Sequence, residues 1–254
     1  MVVKVGSGLL TSSSGSISKS FVESLCRQIA TLKRKKVGVI LVSSGAISAG
    51  MTALGLRQRP KELPLLQACA TIGQPLLMSA YSRALTEHGL CAAQILMTGW
   101  DLDSRRIYRN IQATLNKLLG LGKCLPIFNE NDALSYEEIE MLSRFGDNDR
   151  LAGQVALLAK ATRLVILSGI DGLNTSPDGT GDLIRRVAKI DEKIQGYAGQ
   201  TQSQRSVGGM ISKLETARTM LQAGVSMVIA NGLEKDVLLR IQRGESLGTW
   251  FERK

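Results

Sequence analysis

The chain has 254 residues, 44% of them hydrophobic and 21% charged, with 32 lysines and arginines against 22 aspartates and glutamates, a net charge of +10. That length supports a sizeable core in one large domain or two small ones, and no apolar run approaches the ~20 residues of a membrane span. A single histidine and four cysteines without a CxxC pair argue against zinc and for free thiols in a reducing compartment, while 4% aromatic residues leave few stacking platforms for nucleic-acid bases.

Residues 2–5 read as a buried strand at the very start, without the basic lead and long apolar region of a signal peptide. Lys4 interrupts that apolar run. It is either an edge-strand lysine that discourages aggregation or a cation delivered to an anion at the strand's end. After Gly6-Ser7-Gly8, Ser20 and Glu23 have capping-box spacing, and Phe21, Leu25, Ile29 and Leu32 share one helical face. A strand over 37–42 leads into "SSGAISAG" (43–50). The pattern then predicts a helix over 65–87, closed by His88-Gly89 as a C-terminal cap, a strand over 92–97, a helix over 104–119 and a strand over 125–128.

From Phe128 to Asp149 runs an acidic island: Glu130, Asp132, Glu137, Glu138, Glu140, Asp147 and Asp149 against one Arg144. Glu137, Glu138 and Glu140 read as a solvated face. Asp147 or Asp149 reads as an N-cap for the helix predicted over 150–161, or as a counter-charge. A strand over 163–167 leads to "SGIDG" (168–172). Residues 196–206 read as a mobile loop, "SVGGMISK" (206–213) opens a helix over 209–222, and a last strand covers 226–230. Strands alternating with helices imply an α/β fold: an open, mostly parallel sheet with helices on both faces, and ligands outside the carboxyl ends of the strands. Four glycine-rich loops meet that condition, with Lys4 beside the first and Lys213 one turn into the last helix, an arrangement suited to phosphate. No GxxxxGK[ST] is present, and "GSGLLT" lacks the third glycine of GxGxxG.

The ordered set "VVKVGSGLLT", "LVSSGAISAG", "PIFNENDA" (126–133), "FGDNDRLAG" (145–153), "VGGMISKLETA" (207–217) and "GTWF" (248–251) resembles the amino-acid kinase superfamily, and within it the glutamate 5-kinases. The resemblance implies one α/β/α kinase domain over 1–254, with an acceptor part at about 1–150 and a nucleotide part at about 151–254, and without the PUA domain that follows in many bacterial relatives. It implies transfer of the γ-phosphoryl group of ATP to the side-chain carboxylate of L-glutamate, the first step of proline biosynthesis. Such an acceptor is already ionised and needs no general base. By resemblance Lys4 and Lys213 neutralise the moving phosphoryl group and Asp149 holds both lysines. Ser44, Gly45, Asn129, Asp132 and Asn148 bind the acceptor, Asp132 facing its ammonium group.

The nucleotide would meet Lys4, Gly6, Ser7, Ser168, Gly169, Val207, Gly208, Gly209, Met210, Ile211, Ser212 and Lys213, with Mg²⁺ carried on ATP phosphates and no dedicated metal ligand. A cytoplasmic homo-oligomer (dimer or tetramer) with no membrane or nucleic-acid partner and with proline as feedback inhibitor is also implied, residues 50–64 and 132–144 forming walls of the inhibitor site. Two loops depart from the family pattern. Ser168-Gly169 stands where Thr-Asp is usual, so an acidic nucleotide contact is either missing or supplied by Asp171, and the loop before Lys213 lacks a threonine. Competing readings are a sibling kinase acting on N-acetylglutamate, aspartate, carbamate or uridylate, an inactive relative, and a basic RNA-binding regulator.

Overall fold

The computed structural model describes residues 1–12, 15–134, 148–176, 181–198 and 209–253. Among these residues eight strands form one sheet: β1 (Val2–Val5), β2 (Ile40–Val42), β3 (Cys91–Met97), β4 (Cys124–Glu130), β5 (Arg163–Ser168), β6 (Arg186–Val187), β7 (Ser226–Asn231) and β8 (Thr249–Phe251). Their order is β3-β4-β2-β1-β5-β7-β8-β6, and every pair is parallel except β7 with β8. The described helices are α1 (Ser7–Leu10), α2 (Lys19–Arg34), α3 (Ala46–Ala53), α4 (Leu63–Thr86), α5 (Arg105–Gly120), α6 (Asn148–Leu158), α7 (Glu192–Gly196), α8 (Met210–Gln222) and α9 (Val237–Gln242).

The alternation of strand side chains sorts the core into two layers. Val3 and Val5 pack with Leu25 and Ile29 of α2, Leu77 and Tyr81 of α4, and Leu238 of α9. Val2 packs on the opposite face with Leu115 of α5, Leu151 and Val155 of α6, and Leu214 and Ala217 of α8. Lys4, two residues from Val2, therefore points to the α6 and α8 side. The edge-strand reading of Lys4 is wrong, because β1 lies between β2 and β5.

Several boundaries differ from the sequence reading for nonlocal reasons. β2 starts at Ile40 rather than 37, since Ile40 is already opposite Val2 and β1 offers almost nothing beyond it. β4 runs on to Glu130 because β3 pairs with it over all seven residues, ending at Met97 opposite Glu130. The expected capping box does not form: Ser18 is the N-cap of α2, Ser20 lies inside the helix, and Glu23 pairs with Lys19 at 3.7 Å. Ser104 does cap α5 through Ile107 N–H. The backbone N–H groups of His88 and Gly89 close the end of α4 on Leu85 and Thr86, with Gly89 taking the left-handed position. The strands β6 and β8 and the helices α1, α3, α7 and α9 carry too few residues for a periodic signal. Cysteines without a CxxC pair still meet across the sheet: Cys91 and Cys124, opposite each other on β3 and β4, bring their Sγ atoms to 3.0 Å.

Candidate active site

The carboxyl ends of β1, β2, β4 and β5 converge on one place, and two groups of polar side chains meet there. The first is ionic. Lys4 Nζ of β1 lies 2.6 Å from Asp149 Oδ1, and Lys213 Nζ of α8 donates to Asp149 Oδ2 at 3.0 Å. Asp149 is fully buried, with Lys4 at 5% and Lys213 at 6% exposure, so all three charges are largely removed from water. Burial pushes the Asp149 carboxyl up, but the nearby ammonium groups of Lys4 and Lys213 outweigh it and hold it below the ordinary carboxylate range. Asp149 is not an N-cap, because α6 begins at Asn148 and Asp149 stands inside its first turn. The helix start aims it at the lysines.

The second group is a set of uncharged polar side chains. Asn148 Nδ2 donates to Ser44 Oγ at 2.8 Å and to Asn129 Oδ1 at 3.3 Å. Asn129, 2% exposed near the end of β4, donates in turn to Gln74 Oε1 at 2.8 Å, and Gln74 Nε2 donates to Gln94 Oε1 at 2.8 Å. Ser44 and Gly45 link β2 to α3, and Gly45 takes φ 91°, the left-handed region that a side chain would resist. Below them Ser43 bonds the Tyr81 hydroxyl at 3.0 Å. Asn148 and Asp149 are consecutive, so one helix turn joins the amide group to the ionic group. Asp132 sits in the turn directly after β4.

The remaining predicted positions surround this centre. The Gly6 N–H bonds the Leu167 carbonyl at 3.1 Å, tying the loop after β1 to the end of β5. Ser7 opens α1. Ser168 ends β5, Gly169 follows it, and Asp171 Oδ1 accepts from Asn231 Nδ2 at 2.9 Å across the ends of β5 and β7. Gly209 is the N-cap of α8, whose first turn holds Met210, Ile211, Ser212 and Lys213. Val207 and Gly208 lie outside the described residues, as do Asp147, Glu137, Glu138, Glu140 and most of 196–206. Gln74 and Gln94 escaped the sequence reading. Gln74, beside Gly73 and followed by the apolar run 75–78, was the available signal.

Residues 1–231 match the Amino acid kinase family. A glutamate 5-kinase of Clostridium acetobutylicum is 43% identical over 99% of this chain and 93% of its own length. A glutamate 5-kinase of Caldanaerobacter subterraneus is 44% identical over 99% of this chain and 67% of its own, and one of Carboxydothermus hydrogenoformans is 43% identical over 100% and 68%.

The chain belongs to the amino acid kinase family, in its glutamate 5-kinase branch.

A UMP kinase of Bacillus anthracis has the same fold, with a TM-score of 0.60 at 15% identity, covering 99% of this chain and 94% of the other. In this amino acid kinase the family match ends with β7, and α9 and β8 follow it. Gly248, at φ 69°, leads into β8, and a Cβ there would overlap the Ile229 carbonyl oxygen. Thr249 then accepts the Leu173 N–H at 2.8 Å, which secures the segment after β5 against β8.

Proposed function

We propose that the chain transfers the γ-phosphoryl group of ATP to the side-chain carboxylate of L-glutamate, giving L-glutamyl 5-phosphate for proline biosynthesis. The observation that carries this reading is the buried Lys4–Asp149–Lys213 set beside the Ser44–Asn148–Asn129 amide group. An oxygen of the acceptor carboxylate forms a bond to the γ-phosphorus, the bond to the β–γ bridging oxygen breaks, and ADP leaves with its electron pair. No proton moves, so the site needs no base. Its work is alignment and neutralisation of charge spread over the phosphoryl oxygens. Lys4 and Lys213 approach that charge from a strand and from a helix, and Asp149 fixes the distance between them. The loops at Gly6-Ser7 and Ser44-Gly45 supply backbone N–H donors, and Asp132 pairs with the substrate ammonium.

Mg²⁺ carried on the nucleotide phosphates would neutralise part of their charge beside Lys4 and Lys213. Both Asp149 oxygens face lysines, and among the described residues no group of three or more His, Cys, Asp and Glu is placed to hold an ion. The acceptor part falls in about 1–150 and the nucleotide part in about 151–254. Proline, which shares the ammonium and carboxylate of glutamate, binds as an inhibitor in the acceptor site between residues 50–64 and 132–144, of which 135–144 lie outside the described residues. A homo-oligomer is supported by an exposed apolar row on α4, Leu65, Ile72 and Leu76. A cytoplasmic location fits a biosynthetic kinase, and no helix among the described residues is long and apolar enough to cross a membrane.

The test is hydroxamate formation from ATP, Mg²⁺ and L-glutamate, which traps the acyl phosphate. Product from glutamate, with little from N-acetylglutamate, aspartate, carbamate or uridylate, is the expected outcome. Product from one of those acceptors and none from glutamate refutes the assignment.

A further inference from the structure

The amide group in the acceptor site has a direction. Gln74 donates to Gln94, Asn129 donates to Gln74, and Asn148 donates to both Asn129 and Ser44. The two ends of a carboxamide are nearly equal in size, one donor and one acceptor, so shape alone does not tell an asparagine which way to face. Its neighbours decide. Asn129 gives its Nδ2 to Gln74 and so turns its oxygen to Asn148. Asn148 must then present Nδ2, and its two hydrogens are taken by Asn129 and Ser44. The Asn148 Oδ1 is left buried without a partner, an acceptor that costs free energy until a donor reaches it. Ser44, whose oxygen accepts, keeps its O–H free to donate.

We propose that Gln74, oriented by Gln94, is a positioning residue that sets which end of Asn148 meets the acceptor substrate. The pocket then offers an acceptor at Asn148 Oδ1 to a substrate ammonium N–H and a donor at Ser44 to a substrate carboxylate, selecting an amino acid with a free amine over its deaminated analogue. The inference rests on the reading that L-glutamate is the acceptor. Gln74 is suited to the task. It is 9% exposed, and its neighbour Gly73 packs so tightly on α3 that a Cβ would overlap the Ala46 carbonyl oxygen, which holds the glutamine against the helix that follows Ser44-Gly45.

Steady-state hydroxamate kinetics on the wild type, Gln74→Met, Gln74→Glu and Gln94→Leu test it, with glutamate and glutarate as acceptors. Gln74→Met, which has no oxygen for Asn129, raises KM for glutamate about tenfold and lowers the glutamate-over-glutarate preference by a similar factor, while kcat and KM for ATP stay within about twofold. Gln74→Glu keeps an oxygen opposite Asn129 Nδ2 and stays within about threefold of the wild type, and Gln94→Leu, at the exposed end of the line, raises KM by about threefold. An unchanged KM and unchanged preference in Gln74→Met, or in Gln94→Leu if Gln74→Met does not fold, overturns the proposal. So does Gln74→Glu as impaired as Gln74→Met. A wild type that forms no hydroxamate from glutamate fails at the first measurement and overturns the functional reading itself, and this inference with it.

Discussion

Asp149 holds an ammonium group on each carboxylate oxygen, one from the central strand and one from a helix, with no exposure to solvent. Its folded-state acidity is governed by a contest between burial, which favours the neutral acid, and two adjacent cations, which favour the anion and win. Because the folded pKa is depressed, the stability it contributes is present above the ordinary carboxylate range and is lost only as the pH falls through the lowered value. The carboxylate therefore stays charged through the neutral range, and under the proposed function its role is geometric. Replacing it by Asn keeps the shape and removes the counter-charge, so Lys4 and Lys213 repel each other and leave their positions. Asp149→Asn, Lys4→Ala and Lys213→Ala should each lower kcat by about 10²–10³, the scale of losing one donor to a developing anion. Steady-state kinetics with glutamate and ATP check this, and an Asp149→Asn enzyme with wild-type kcat would remove Asp149 from the machinery.

At the scale of elements, the crossing of α3 and α4 places the Ser44-Gly45 loop. Gly50 and Gly73 face the partner helix so closely that a Cβ at Gly50 would overlap the Cys69 carbonyl oxygen and one at Gly73 the Ala46 carbonyl oxygen. Two effects oppose each other at Gly50. Alanine is the better helix former by about 1 kcal/mol, but the clash is with backbone, which no rotamer change relieves, and overpacking of this kind costs about 1–3 kcal/mol. Packing wins. Gly50→Ala should lower the denaturation midpoint in urea, and since α3 starts at the Ser44-Gly45 loop, it should also raise KM for glutamate. An equal or higher midpoint would show that the helices can separate without cost. The glycines themselves were visible in "SSGAISAG" and "TIGQ", but only the crossing shows which carbonyls they approach.

Over the whole molecule, sheet order decides which distant residues become neighbours. It sets Cys91 opposite Cys124 at the β3 edge and leaves Cys26 and Cys69 inside. Burial, with the Glu87 charge adding to it, pushes the Cys26 thiol up to about 12. Treatment of the native protein with Ellman's reagent at pH 8 should release two equivalents of thionitrobenzoate, from Cys91 and Cys124, and four after unfolding. Four from the native state would contradict the packing. The same ordering explains how much of the site was legible in advance. Residue types and periodicity act over a few positions. They were enough for the alternation of strand and helix, the one-sided face of α2, and the glycine loops at the carboxyl ends with Lys4 and Lys213 beside them, while Asp149 and the amide residues of the site were implied by the family resemblance alone. What they could not determine was partnership. Lys4 joins Asp149 and Lys213 only because β1 lies inside the sheet with its even-numbered side chains turned to α6 and α8. Asn129 reaches Gln74 and Asn148 only because β4 extends past its apolar run to follow β3. Register, helix crossing and the direction of a buried amide are set by atoms far away in the chain, and they exist only once the sheet has closed around them.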